Sequence, residues 1–128
     1  MCGTSFANSQ DAAEIGKIAY GTYCAVCHGT GGKGDGPVAG QLRRKPADLT
    51  LLAKAVGGTF PKESVRAIVD GREMFAAHGS REMPLWGEMF TFESTGGGVA
   101  DDGMDEITRE LVNTRIDQLV AYIGTLQE

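Results

Sequence analysis

Cys24 and Cys27 stand three positions apart and His28 follows at once, giving the pentapeptide Cys24-Ala25-Val26-Cys27-His28. Two cysteines at this spacing alone are ambiguous among a redox dithiol, half of a zinc site and chance. The adjacent histidine changes the chemistry. CxxCH is the spacing of covalent haem attachment, in which both thiols form thioethers with the haem vinyl groups and the imidazole reaches the iron. Only one such motif occurs, so one haem c is expected, with His28 as the first metal ligand and a second donor from elsewhere in the chain.

The second donor is expected to be Met83. It lies in the non-periodic stretch Ser80-Arg81-Glu82-Met83-Pro84-Leu85-Trp86-Gly87, 55 residues after His28, which is enough chain to pass around a haem and return on its far side. Pro84 biases its predecessor toward an extended backbone, from which a thioether can project. A methionine is more often core filler than ligand, and Met89 is the rival. Met89 lacks the proline bracing and is expected to pack inside. Trp86, the only tryptophan, is expected against the haem rim or the loop, with a plain core role as the alternative. His78, the only other histidine, reads as a loop surface residue.

These side chains need a scaffold, and the periodicity predicts an all-α one. From Asp11 the stretch Asp11-Ala12-Ala13-Glu14 has the form of a helix cap, and Ile15, Ile18, Ala19 and Thr22 recur at helical spacing. Gly16 costs that helix roughly 1 kcal/mol against alanine, so a close approach by another helix is expected there. After His28 the run Gly29-Thr30-Gly31-Gly32-Lys33-Gly34-Asp35-Gly36-Pro37 has neither the ending of a Walker loop nor a preceding strand, and reads as a loop folding back beside the cofactor. Pro37 closes it, and its carbonyl is the expected acceptor for the His28 ring nitrogen turned away from iron.

Short helices are expected at 38–42 and 48–54, and a further one from Pro61 to Gly71 with Val65, Ile68 and Val69 inward. Arg43-Arg44-Lys45 reads as a solvated face or as a cluster near the haem propionates or a docking rim. A Gly/Asp-rich excursion is expected at about 93–106. A last helix, broken near Asn113, should then bury Leu119, Val120, Tyr122, Ile123 and Leu126. The organisation is a flexible lead over 1–10 and a single domain over 11–128.

Composition points the same way. Glycine supplies 19 of 128 residues and aromatics 7%, so the protein-only core is thin and a large apolar cofactor would fill it. Twelve Lys and Arg against 17 Asp and Glu give a net charge of -5, which excludes the basic footprint of a nucleic-acid binder. Eight of the acids and only two bases fall after residue 92, so a charge dipole is expected. No run of 18 apolar residues offers a membrane span. Haem attachment belongs to an export compartment, so the expectation is a protein of the periplasm or the outer face of the cytoplasmic membrane whose signal peptide has been removed. Cys2, followed by short polar spacing, resembles the lipid-bearing cysteine of bacterial lipoproteins, or is simply an exposed thiol.

Taken together these residues resemble class I bacterial cytochromes c, from about Asp11 to Leu126. The resemblance is carried by Cys24-Ala25-Val26-Cys27-His28, by Gly16 and Tyr20 ahead of it, by the Gly-Asp-Gly-Pro loop ending at Pro37, by Met83-Pro84 with Trp86-Gly87, and by a terminal helix with Leu119 and Tyr122. It implies a small cytochrome c fold whose first and last helices cross closely around one covalently bound haem, with Gly16 against Tyr122 and with His28 and the loop methionine as axial ligands. It also implies an electron-transfer protein, not an enzyme, that is monomeric when free and exchanges electrons with redox proteins of a respiratory or dehydrogenase chain. The alternatives are a subunit docked to an oxidase or dehydrogenase and, from a different class, a small haem enzyme or gas sensor.

Overall fold

A computed structural model describes residues 9–72, 82–96 and 105–128. Cys2, Met74, His78 and Met104 lie outside the described residues, as does most of the expected excursion. Every described element is helical: α1 (Ser9–Tyr23), α2 (Ala25–His28), 3-10 turns at Ala39–Gln41 and Leu49–Leu51, α3 (Leu52–Ala55), α4 (Lys62–Asp70), α5 (Trp86–Ser94) and α6 (Glu106–Thr125). The all-α class expected from the sequence is the one observed among the described residues.

The organising contact is the crossing of α1 and α6. A Cβ placed on Gly16 would run into the Gln118 carbonyl and lie 3.1 Å from the Tyr122 Cβ. Glycine is required because the obstacle is backbone, which cannot rotate away as a side chain can. One turn on, the Tyr20 ring packs on Tyr122 with centroids 5.1 Å apart. The inward face of α1 is therefore built from Ala13, Gly16 and Tyr20. Ile15 and Ile18, although they recur at helical spacing, are exposed, at 49% and 74%. A crossing this close selects small residues for its seam and leaves the branched ones beside it.

Helix α6 buries Val112, Ile116, Leu119, Val120 and Ile123, while Tyr122 and Leu126 are half-buried. It runs unbroken through Asn113, contrary to expectation. The Asn113 Oδ1 accepts from Arg66 of α4 at 3.2 Å, so the side chain is not competing for its own backbone. In α4, Val65 and Val69 are buried but Ile68 is 42% exposed, because the stripe facing α6 is only two residues wide. Glu93 and Ser94 belong to α5 and Glu106 to α6, so helix reaches into both ends of the expected excursion. Ser9 and Gln10 are already helical, and Asp11 falls in the first turn instead of capping it.

Asp105 caps α6: its carboxylate accepts from the Thr108 N–H at 2.7 Å, and that bond holds its pKa below the ordinary 3.8. A depressed carboxyl contributes stability fully above its unfolded pKa and loses it as pH falls through the lower folded value. The melting-temperature gap between wild type and Asp105→Ala is therefore expected to be open at neutral pH and to narrow below the carboxylate range. A gap constant from neutral to strongly acid pH would contradict the cap.

Candidate cofactor site

The motif begins where α1 ends. Tyr23 closes α1, the Cys24 N–H donates to the Tyr20 carbonyl at 2.9 Å, and α2 then places Cys24 and Cys27 on one turn, with Cys27 N–H 3.2 Å from the Cys24 carbonyl. Cys24 is buried and Cys27 half-buried, and both are free thiols. Burial, with a smaller contribution from Cys27, pushes the Cys24 thiol up to about 12. A dithiol oxidoreductase needs the opposite shift, since its attacking sulfur must be a thiolate near neutral pH. Cys24 is thus poorly suited to act as an attacking thiolate.

The short α2 leaves its last carbonyls without helical partners, and the glycine loop supplies them. The N–H groups of Gly34, Gly36 and Val38 donate to the carbonyls of His28, Cys27 and Val26 at 2.8, 3.0 and 3.1 Å. A Cβ at Gly36 would collide with the carbonyls of Ala25 and Val26, so only glycine lets the loop lie this close. These amides are consumed within the turn, which removes the phosphate-cradle reading of the loop. The Tyr20 hydroxyl donates to the Gly29 carbonyl at 2.6 Å; burial drives its pKa up to about 12, so it remains a proton donor. The only sequence sign of this brace is the place of Tyr20, one helical turn ahead of Cys24.

The His28 ring is held from another direction than expected. Its Nδ1 lies 3.0 Å from the Ala47 carbonyl. A carbonyl only accepts, so Nδ1 carries the proton and Nε2 is left as the ring nitrogen with a free lone pair. Pro37, the expected acceptor, is exposed and does not make this bond. The loop turns at Pro37 into the 3-10 segment, and the chain comes back to the imidazole only ten residues later, at Ala47. The segment after Ala47 is fixed by Asp48, whose carboxylate accepts from the Thr50 N–H at 2.9 Å, and by the Leu49 N–H on the Gly32 carbonyl at 2.6 Å.

Met83 is half-buried and packs against the same core cluster that contains Cys24, Ala25 and Trp86. Trp86 is 8% exposed, with its ring edge-on to Tyr23 at 5.3 Å and tilted against Phe90 at 5.8 Å. Met89, expected inside, is 41% exposed, because the inward arc of α5 is Trp86, Gly87, Phe90 and Thr91 and Met89 falls off that arc. Arg115 escaped the sequence reading: its guanidinium sits 3.8 Å from the Phe90 ring centroid and donates to the Tyr23 hydroxyl and to Glu93, tying α6 to α1 and α5.

Residues 11–123 match the family described as cytochrome c oxidase, cbb3-type, subunit III. The chain belongs to that family of c-type cytochrome domains. No curated protein and no solved structure matches it. Membership implies covalently bound haem c and an electron-transfer module. The residues present fit that group: two unpaired thiols on one turn, an imidazole with its tautomer set, and a thioether against the cluster that holds one of those thiols. A groove of about 490 Å³ between α1, Phe60 and the end of α6 includes none of these residues and is not the cofactor site. No described helix of this cytochrome is long and apolar enough to cross a membrane.

Proposed function

We propose that this cytochrome is a one-electron carrier acting outside the cytoplasm between membrane-bound or periplasmic redox proteins, with Cys24 and Cys27 carrying the thioethers and His28 and Met83 the axial bonds. The observation that carries the reading is the packing of Met83 against the buried cluster that contains Cys24, together with an imidazole, next in the chain to Cys27, whose Nδ1 proton is already engaged by the Ala47 carbonyl. Haem c, when bound, supplies the ferrous/ferric couple. The chain's own contributions are ligand choice, tautomer and dryness. A neutral thioether opposite imidazole favours the reduced state and raises the potential relative to two nitrogen ligands. The Ala47 carbonyl makes the imidazole more basic and fixes its plane. With His28 and Met83 both bound to it, the iron would offer no open coordination position, which would set the carrier apart from a haem enzyme or gas sensor.

The ferric spectrum of the holoprotein tests this directly. Low-spin iron with the methionine–iron charge-transfer band at the red end of the visible range is expected, and high-spin iron under native conditions would overturn the carrier reading. Met83→Ala should lose that band, admit water or an outside ligand to the iron and lower the reduction potential. Met89→Ala should change none of these. A second reading, a subunit docked to an oxidase, is favoured by the name of the matched family. Co-purification with an oxidase from native membranes would support it over a free shuttle. Cys2 would then be a second attachment to the membrane if it bears lipid.

A further inference from the structure

Two separate contacts, neither foreseen in the sequence, meet on one short segment. The Ala47 carbonyl holds His28 Nδ1. Four and three residues earlier, the backbone N–H groups of Arg43 and Arg44 donate to the two carboxylate oxygens of Glu82, at 3.0 Å to Oε2 and 3.3 Å to Oε1. Glu82 is the residue immediately before Met83. The segment is itself anchored at both ends. Upstream, Leu42 N–H reaches the Ala39 carbonyl and Val38 N–H the Val26 carbonyl of α2. Downstream, the Pro46 carbonyl lies so close to Gly34 that a Cβ there would strike it, and Leu49 N–H bonds Gly32.

We propose that Glu82 is a positioning residue for Met83, clamping the methionine segment onto a 43–47 brace that also holds His28. The inference rests on the reading of Met83 as axial ligand. The physical basis is geometric. Met83 lies between Glu82 and Pro84: the proline limits backbone rotation on one side, and the carboxylate, bound through both oxygens to two successive amides, fixes the other. Each bond is to an ionised acceptor, the stronger kind, although both partners are exposed to solvent. The amides, not the guanidinium groups, receive the carboxylate. The basic side chains of Arg43, Arg44 and Lys45 are exposed.

The test uses ferric holoprotein, with imidazole as the probe ligand and the methionine–iron band as the second readout. Glu82→Ala is expected to speed imidazole binding several-fold, since the lost bonds are to a charged acceptor but are exposed to solvent, and to weaken the band while helix content stays at the wild-type level. Glu82→Gln keeps one acceptor oxygen and should fall between. Arg43→Pro removes one of the two donor N–H groups where the preceding Leu42 is already extended, with ψ 150°, leaves the Arg44 N–H in place, and should fall between wild type and Glu82→Ala. Arg43→Gln keeps the amide and should bind imidazole at the wild-type rate. If Met83→Ala loses the band while Glu82→Ala and Arg43→Pro bind imidazole at the wild-type rate, the ligand assignment stands and the clamp is wrong. If wild type lacks the band and binds imidazole as fast as Met83→Ala, the ligand assignment fails and the clamp falls with it.

Discussion

Replacing Cys24 and Cys27 together by alanine is expected to leave no stable fold. Among the described residues the large side chains that are essentially fully buried are Tyr20, Phe90, Ile116, Leu119, Val112 and Val120, drawn mostly from α6 and its immediate neighbours. Those side chains pack α1, α5 and α6, and the long glycine loop and its 3-10 turns contribute little to that packing. A domain of this size is stable by only about 5–15 kcal/mol in total, and apolar burial is its main favourable contribution. Without thioether links the cofactor would be held only by His28 and Met83 and would be more easily lost, and its apolar faces would then no longer complete the core. The readouts are holoprotein yield, far-ultraviolet circular dichroism and the cooperativity of melting. Near-native helix content with a sharp melt in the haem-free double variant would show that the protein core suffices and that the cofactor is an addition to it.

Two glycines of α1 should respond in opposite directions to alanine. At Gly16 the new Cβ meets the Gln118 backbone carbonyl, so α1 and α6 must separate, and the contacts of Tyr20 with Tyr122 and of Tyr23 with Arg115 loosen with them. Overpacking of this kind costs about 1–3 kcal/mol and more where backbone must move. The helix-propensity gain of alanine over glycine, about 1 kcal/mol, does not offset it. At Gly21 nothing lies within 4 Å of the added carbon. There the propensity gain stands alone, and Gly21→Ala should stabilise by roughly 0.5–1 kcal/mol. Denaturant midpoints of the two holoproteins check the pair. A Gly16→Ala variant as stable as Gly21→Ala would mean that the crossing is not close.

Much of the site was legible in the chain because its signals are local. Spacing alone makes Cys24-Ala25-Val26-Cys27-His28 a haem-attachment motif, and a one-turn helix is all that its geometry demands. Met83 could be singled out because a following proline acts on the backbone of its direct neighbour. The helix from Pro61 to Gly71 was legible for the same reason, since caps and breakers act within one turn. Gly16 stood out as a residue that disfavours its own helix, which is a sequence sign of a tertiary demand.

What the sequence by itself determined is the haem-attachment motif, the helical class and the candidate ligands, all properties of residue type and short spacing. The tertiary structure decided which face of each helix is buried and which carbonyl meets His28. Ile15, Ile18 and Ile68 are apolar and periodic, yet the seam they border is set by how closely α1 and α6 approach and by the narrow α4 stripe. Met89 is apolar yet exposed for the same reason: the arc of α5 that meets α6 passes through Trp86 and Phe90. Pro37 was the near candidate for the imidazole, but the chain had to turn through a 3-10 segment before Ala47 came within 3.0 Å. The Glu82 clamp joins residues 38 and 39 positions apart through main-chain amides. Every residue but proline carries such an amide, so no residue type marks it in a sequence. Only the folded path of the chain selects which two amides face the carboxylate.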